Sequence, residues 1–583
     1  MAIGRGLVGR VWEWIRERAG LDRLPFFRVP YNYMSLSFWL GAIVAASFML
    51  LAITGLLLLF YYDPGDPVGS NKELIENKPF GRFLLTTHLY AAHAMLLSAI
   101  VHMFRNFIVG AYKKPRELVW IVGVITGFIA LQAAFFGYSL LGDRIAQEAI
   151  AIGTGLVEQS LGIMVKIGDT TVELGKFLVA LAFDVDEEAR YYRLLALHII
   201  MATLLFLLFA LHFGLFEQHG PQPSHEETGW KTEPERISQD RPDLAPWFPV
   251  NFMYILVITL GIWGVIVLAS AASQAAGFVH QLLYPLPIYE GTEVAELARP
   301  MPPWFLVYAF KLFQLDFLYV DIPGMSAILV FLISLVLPPL VLILIPFLDR
   351  SKSTHPLDRP KTIIMGGLLL IYFWQLTVWG ALGLGYHSKW FTAAIFLVPL
   401  LIVSSGVYLM RSVRSGSGAS PVLGLTLIAT VIVAFILPLL PRLFGQRAVS
   451  WPDAATLFLG TALSIGYLGL LASMTLGGGK SSEKKLAGGS GAPSEIPLSV
   501  LVLAIIELAI VIYSGTFLAT AVDPVSQPAL SSALAGLMLL AVAGLLHIVY
   551  RVVVSDKIPL HGLSSFKSHA LLVIALLVVA AAA

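Results

Sequence analysis

The chain contains no cysteine, and only 13% of its 583 residues are charged. The first absence excludes disulfides, thiolate zinc sites, iron–sulfur ligands and the C-x-x-C-H attachment of a c-type haem, so any redox metal must be held by His, Met or carboxylate. The second sets the chain apart from soluble proteins, which run near about 25% charged. Neither sign of charge is in excess: 38 Lys and Arg stand against 37 Asp and Glu. No basic surplus exists to recruit nucleic acid, and no acidic tail to solvate a disordered region. What the chain has in abundance is apolar sequence, at 57% hydrophobic.

That sequence falls into runs long enough to cross a hydrocarbon core of about 30 Å as helix. The pattern predicts an all-α polytopic membrane protein of thirteen spans, near 35–61, 84–109, 118–138, 191–216, 251–273, 325–348, 361–383, 390–410, 421–440, 454–475, 497–520, 529–553 and 567–583. The first run starts late and has the length of a full span, which reads as no cleavable signal peptide. Residues 1–30 place Leu7, Val8, Val11, Trp12 and Ile15 on one helical face with Arg10, Arg16 and Arg18 among the polar positions, an interfacial amphipathic segment. Three further regions follow: a four-helix bundle at 31–220, a second membrane part at 245–410, and extra helices at 411–476 and 497–583 divided by a Gly/Ser/Lys-rich linker at 477–496.

Cations set an expected orientation, since retained loops are rich in Lys and Arg. The N-terminal segment and every second turn carry them: Lys113, Lys114 and Arg116; Lys231 and Arg236; Arg350, Lys352, Arg359 and Lys361; Arg411 and Arg414. The stretch 276–324 on the other side has only Arg299 and Lys311. The N terminus is therefore expected in the cytoplasm.

Histidine carries the chemistry. Span two holds His88 and His102, and span four holds His198 and His212, each pair 14 residues apart. Fourteen residues of helix rise about 21 Å through nearly four whole turns, so both imidazoles of a pair leave one face at two depths. Spans two and four run in the same direction, which sets His88 against His198 and His102 against His212. Two bis-imidazole sites of this kind suit low-spin electron-transfer haems. A chance spacing does occur: His547 and His561 are also 14 apart, but Arg551, Asp556, Lys557 and Pro559 interrupt them. No charge, Gly or Pro interrupts the first two pairs, and four His inside apolar spans are costly unless paired or ligated. His93 sits on another face and reads as a hydrogen-bonded core residue. Gly41 and Gly55 in span one, and Gly123 and Gly137 in span three, repeat the interval of 14. They either let a macrocycle approach the backbone or serve close helix packing.

The stretch from His88 through HMFR at 102–105 to KKPREL at 113–118, the GYSLLGDR run at 137–144 and the second His pair resemble cytochrome b of the bc-type quinol-oxidising complexes. FPVN at 248–251, PPWF at 302–305 and IPFLDRSKSTHPLDRP at 345–360 are similar to the smaller subunit of the plastid-type complex, here fused to the first part. The resemblance covers about residues 5–385, and an archaeal member with additional spans would fit the remainder. It implies two noncovalent b-type haems, quinol as substrate, and quinone sites near each haem. It also implies a Rieske iron–sulfur partner, a downstream cytochrome c, copper protein or terminal oxidase, a homodimer, and the plasma membrane of a prokaryote. Arg105 matches a family position suited to a haem propionate. Its counterpart before His88 is Leu85, which leaves Arg82 as the substitute. His219 stands either as a partner for a quinone carbonyl or as a solvated loop residue.

The family usually has Pro-Glu-Trp-Tyr where this chain has Pro302, Pro303, Trp304 and Phe305, and Pro can neither give nor take a quinol proton. Leu141 and Gly142 replace a Pro-Trp pair. Pro303 and Trp304 are thus expected in a reshaped quinol pocket. Glu290, Glu293, Glu296 and Tyr308 are candidate proton acceptors, Glu296 first as the nearest upstream acid, with a solvated loop face as the alternative for the glutamates. Two other functions share part of the pattern. A secondary transporter would have interrupted helices and no cofactor. A bis-His anchor of a quinone-linked dehydrogenase would lack the PPWF and IPFLDRSK segments.

Overall fold

The computed structural model describes residues 28–167, 170–183, 187–225, 230, 237–275, 302–312, 314–315, 325–382, 389–416, 451–475 and 498–553. Among these it is helical almost throughout. Eleven helices are long and apolar enough to span a bilayer. The expected spans at 421–440 and 567–583, most of the interfacial segment and the linker at 477–496 lie outside the described residues.

The first half is built from α1 (Leu40–Leu58), α2 (Pro67–Asn77), α3 (Gly81–Ile108), α4 (Glu117–Ser139), α5 (Arg144–Ser160), α6 (Leu174–Phe183) and α7 (Glu187–His219). A short antiparallel hairpin of β1 (Met164–Ile167) and β2 (Thr170–Glu173) stands between α5 and α6. The short elements have local causes. Pro67 opens α2 at N1 behind Asp66, whose carboxylate accepts from Gly69 N. Asp143 caps α5 through Ala146 N at 3.0 Å, directly after Gly142 turns the chain at φ +68°.

Spanning helices pair as α1 with α3 and α4 with α7, and the two pairs face each other. α8 (Phe252–Ala275) closes against α1 and α3. α9 (Trp304–Leu312) is a short helix laid on α12 (Pro360–Leu382). The sixth span is α10 (Met325–Phe331) continued, through a wide turn at Leu332–Val336, into α11 (Leu337–Leu348), whose Pro338 and Pro339 withdraw backbone donors there. α13 (Lys389–Ser415), α14 (Trp451–Thr475), α15 (Leu498–Thr520) and α16 (Pro528–Val553) complete the set.

Small and polar residues join these helices, as expected where lipid tails give no apolar driving force between them. A Cβ on Gly264 of α8 would lie 2.6 Å from Leu540 of α16, and one on Gly536 2.8 Å from Leu268. Gln274 donates to Thr86 at 2.9 Å, Ser270 at 3.0 Å and Ser532 at 3.3 Å, tying α16 through α8 to α3.

Three of the cation-bearing turns, at 113–116, 350–361 and 411–414, meet at one end of the molecule, while Lys231, Arg236 and the N-terminal arginines up to Arg23 lie outside the described residues. Arg116 reaches the carbonyls of His219, Gly220 and Pro221, Lys113 pairs with Asp349 at 3.1 Å, and Arg414 pairs with Asp358 at 2.8 Å. Arg359, fully buried, binds the carbonyl of Ile108 and the Tyr112 hydroxyl. Burial lowers the Lys113 pKa, and Asp349 opposes that shift. Lys114, Arg350, Lys352 and Lys361 stay exposed at this end.

Candidate functional site

The imidazoles of α3 and α7 meet twice. Ring centres lie 6.5 Å apart for His88 and His198 and 6.4 Å for His102 and His212, with the planes crossed at 71° and 80°. The register follows from two parallel helices with the same interval of 14.

Hydrogen bonds fix the tautomers. Nδ1 of His198 faces the carbonyl of Ala133 at 2.9 Å, and Nδ1 of His212 that of Val119 at 3.0 Å. A carbonyl only accepts, so both Nδ1 atoms carry the proton and both Nε2 atoms keep the lone pair. Thr54 already donates its hydroxyl proton to Leu50 O at 2.7 Å, so it accepts from His88 Nδ1 at 2.9 Å. Asn106 donates its amide to His102 Nε2 at 3.2 Å, which marks Nε2 as the unprotonated nitrogen there as well.

Each ring rests against one glycine of a neighbouring helix. A Cβ on Gly41 would lie 3.2 Å from Cε1 of His102, on Gly55 3.0 Å from that of His88, on Gly123 2.9 Å from that of His212, and on Gly137 2.7 Å from that of His198. The missing side chains let His198 and His212 reach the carbonyls that orient them and make room for the rings of His88 and His102. Ala133 and Val119, which hold the α7 rings, lie four residues before Gly137 and Gly123.

The spacing of each pair would let its two imidazoles hold one metal between them at each level. Two nitrogens at about 2.0–2.1 Å from a metal, each with its ring centre about 1.2 Å behind it, separate the centres by about 6.4 Å. Three Nε2 lone pairs, on His88, His198 and His212, are oriented by Nδ1 contacts and suited to haem iron; the fourth, on His102, accepts the Asn106 amide, which would have to give way to iron. At the His102 level, Arg105 has its guanidinium 4.9 Å over the Phe38 ring and donates to Asn106 Oδ1 at 3.1 Å. Toward the His88 end, Arg82 has a buried Nε with no hydrogen-bond partner among the described residues, while Leu85 packs on Tyr138, Leu141 and Ile145.

A cavity of about 1560 Å³ opens from the His102 level, lined there by Gly41, Arg105, Gly123 and His212, and runs to α9, where Phe305 and Tyr308 line it. Pro303 is buried at the start of α9. Trp304 donates its indole N–H to His93 Nδ1 at 3.1 Å and stacks on Trp374 at 5.4 Å. His93 therefore has the tautomer opposite to the four paired histidines, with Nδ1 unprotonated. Tyr308 donates to Ser334 O at 3.0 Å. Glu290, Glu293 and Glu296 lie outside the described residues. At the other end of the cavity Glu217, Asn251 and Gln222 are lining residues. His219 is half-buried, with its carbonyl on Arg116. Sequence reasoning missed Glu217, Asn106 and Asn251; Glu217, a carboxylate near the end of an apolar span, is the one that composition alone marks out.

A family model described as cytochrome b(N-terminal)/b6/petB matches residues 93–289. The chain is 37% identical over 408 residues to the cytochrome b of Sulfolobus acidocaldarius, covering 69% of this chain and 71% of that protein. It is 30% identical over 220 residues to the cytochrome b6 of Gracilaria tenuistipitata var. liui and of Porphyra purpurea, 36% of this chain and 98% of each relative. A chain of a solved hyperthermophilic respiratory Complex III overlays 80% of this one at 18% identity, with a TM-score of 0.49.

Proposed function

The chain belongs to the cytochrome b family, and from that premise we propose that it is the membrane subunit of a respiratory quinol-oxidising complex, moving electrons from quinol across the bilayer between two bis-histidine levels. His88 with His198, and His102 with His212, each hold one noncovalent b-type haem. When bound, the two haems supply one-electron redox centres at two membrane depths. The chain's own contribution is orientation and exclusion of water. Backbone carbonyls and Thr54 set the imidazole planes, Gly41, Gly55, Gly123 and Gly137 make room for the rings, and apolar spans dry the interior. Arg105 and Arg82 are the cations available to propionates.

The cavity beside α9 takes quinol, with Pro303 and Trp304 at its edge. Tyr308, whose hydroxyl donates to Ser334 O, can offer quinol a hydrogen-bond acceptor but not a base, so Glu293 and Glu296, the acids nearest in sequence, are the candidate proton acceptors. Quinol oxidation on the His88 side releases protons outward and so couples electron transfer to proton translocation. A Cys-free chain cannot hold an iron–sulfur centre, which makes a Rieske protein the required partner, followed by a cytochrome c, copper protein or terminal oxidase; we place the chain as a homodimer in a prokaryotic plasma membrane. The exposed Lys114, Arg350, Lys352 and Lys361 support reading their end as cytoplasmic.

The observation that carries this reading is the twice-repeated geometry of crossed imidazoles about 6.4 Å apart. Optical redox titration of membranes tests it. His88→Ala or His198→Ala should remove one b-type component, and His102→Ala or His212→Ala the other. Retention of both components in all four variants would refute the ligand assignment.

A further inference from the structure

α14 is one of the spans beyond the part that resembles the family, yet it lies along α12, where its Thr456 carbonyl accepts from Gln375 at 3.3 Å. α12 carries α9 as well. Tyr308 packs on Phe373 at 5.0 Å, and one turn further Lys311 sits over Trp379.

This last contact places a charge in the interior. Lys311 is fully buried, with Nζ 4.2 Å from the Trp379 ring centre and 3.3 Å from Gln314 Oε1. Trp379, also fully buried, donates its indole N–H to Asp453 Oδ1 at 2.9 Å. Asp453 stands in the first turn of α14 and is 8% exposed. One indole therefore has a cation on its electron-rich face and a carboxylate at its electron-poor edge. Burial pushes the Lys311 ammonium down to about 8, and Asp453 is the charge among the described residues that holds it up.

α9 has nine residues, too few to be stable by helix propensity alone, so its place is set by what it packs on. Phe305, Leu306, Tyr308 and Leu312 of this helix line the cavity, and Trp304 bonds to His93 of the histidine-bearing α3. A shift of α9 moves that wall.

We propose that Asp453 is a positioning residue for the quinol pocket: through Trp379 and Lys311, the appended helix α14 fixes the helix that lines the cavity. This rests on the reading of the cavity as a quinol site. It gives α14 a part in substrate binding without any contact to substrate.

Quinol oxidation is measured in native membranes with a decyl-tailed ubiquinol, beside maleimide labelling of Leu306→Cys in the otherwise Cys-free chain. Asp453→Asn removes the carboxylate that holds the Lys311 pKa up and so disfavours the buried ammonium, a state relieved when Lys311 loses its proton. The KM should then rise about fivefold or more near pH 6 and return toward wild type near pH 9, with kcat within about twofold. Position 306 should label faster in this variant near pH 6. Lys311→Met combined with Asp453→Asn removes both charges and should bring KM back to within about twofold at either pH. A pH-independent defect in Asp453→Asn, a double variant no better than the single, or unchanged labelling at position 306 would each overturn the proposal. Membranes that show this labelling pattern but oxidise no quinol even as wild type would remove the quinol reading and leave the positioning role standing.

Discussion

Alanine at Gly137 would put its methyl carbon 2.7 Å from Cε1 of His198, inside any real carbon–carbon contact, whereas alanine at Gly41 would stand 3.2 Å from His102. Packed interiors do not absorb such overlap without displacing a side chain, and here the displaced group is a proposed iron ligand with its own backbone bond. The account predicts a graded series in haem content by pyridine haemochrome: Gly137→Ala loses most, then Gly123→Ala and Gly55→Ala, with Gly41→Ala least affected. Equal losses, or the largest at Gly41, would count against the imidazole contacts. At this scale the sequence is a good guide where a feature lies within one helix. The 14-residue intervals of His and Gly are such features, and the periodicity of a helix converts them into faces and depths. The partner of each glycine was not legible, because an interval cannot say whether the space is taken by a macrocycle or by a histidine ring. The bond from Trp304 to His93 joins residues 211 apart, and no local pattern announces it.

Arg116 illustrates the scale of elements. It is 4% exposed and donates to the carbonyls of His219, Gly220 and Pro221 at 3.0–3.2 Å, closing the end of α7 where backbone acceptors have no intrahelical donor. Arg116→Met should cost about 1.5–3 kcal/mol, on the scale of charge-assisted hydrogen bonds. Thermal loss of the Soret band measures it, and an unchanged midpoint would show that the cap contributes nothing. α7 carries His198 and His212, so its ends bear on both levels. The eleven long spans among the described residues were readable from apolar length alone, with ends shifted by a few residues. α2, α5, α9 and the β1–β2 hairpin were not, because short helices depend on caps such as Asp66 and Asp143 and on neighbours to pack against. Cation density also marked the turns that gather at one end, but it could not distinguish Lys113 and Arg359, buried in an ion network, from Lys114 and Lys352, which face out.

For the whole molecule, the described spans that follow α13 are built into the bundle. α16 crosses α8 at Gly264 and Gly536, and α14 joins α12 through Gln375 and Trp379. The added helices thus extend the bundle on its α8 and α12 sides, while α7 stays at its edge, and the central claim concerns what the pairs α1–α3 and α4–α7 enclose. Haem stoichiometry of the purified full-length chain tests that claim most directly. Two haems per chain are predicted, both extracted by acid-acetone because no cysteine is present to attach them. A single haem per chain, or haem retained covalently after extraction, would contradict the account.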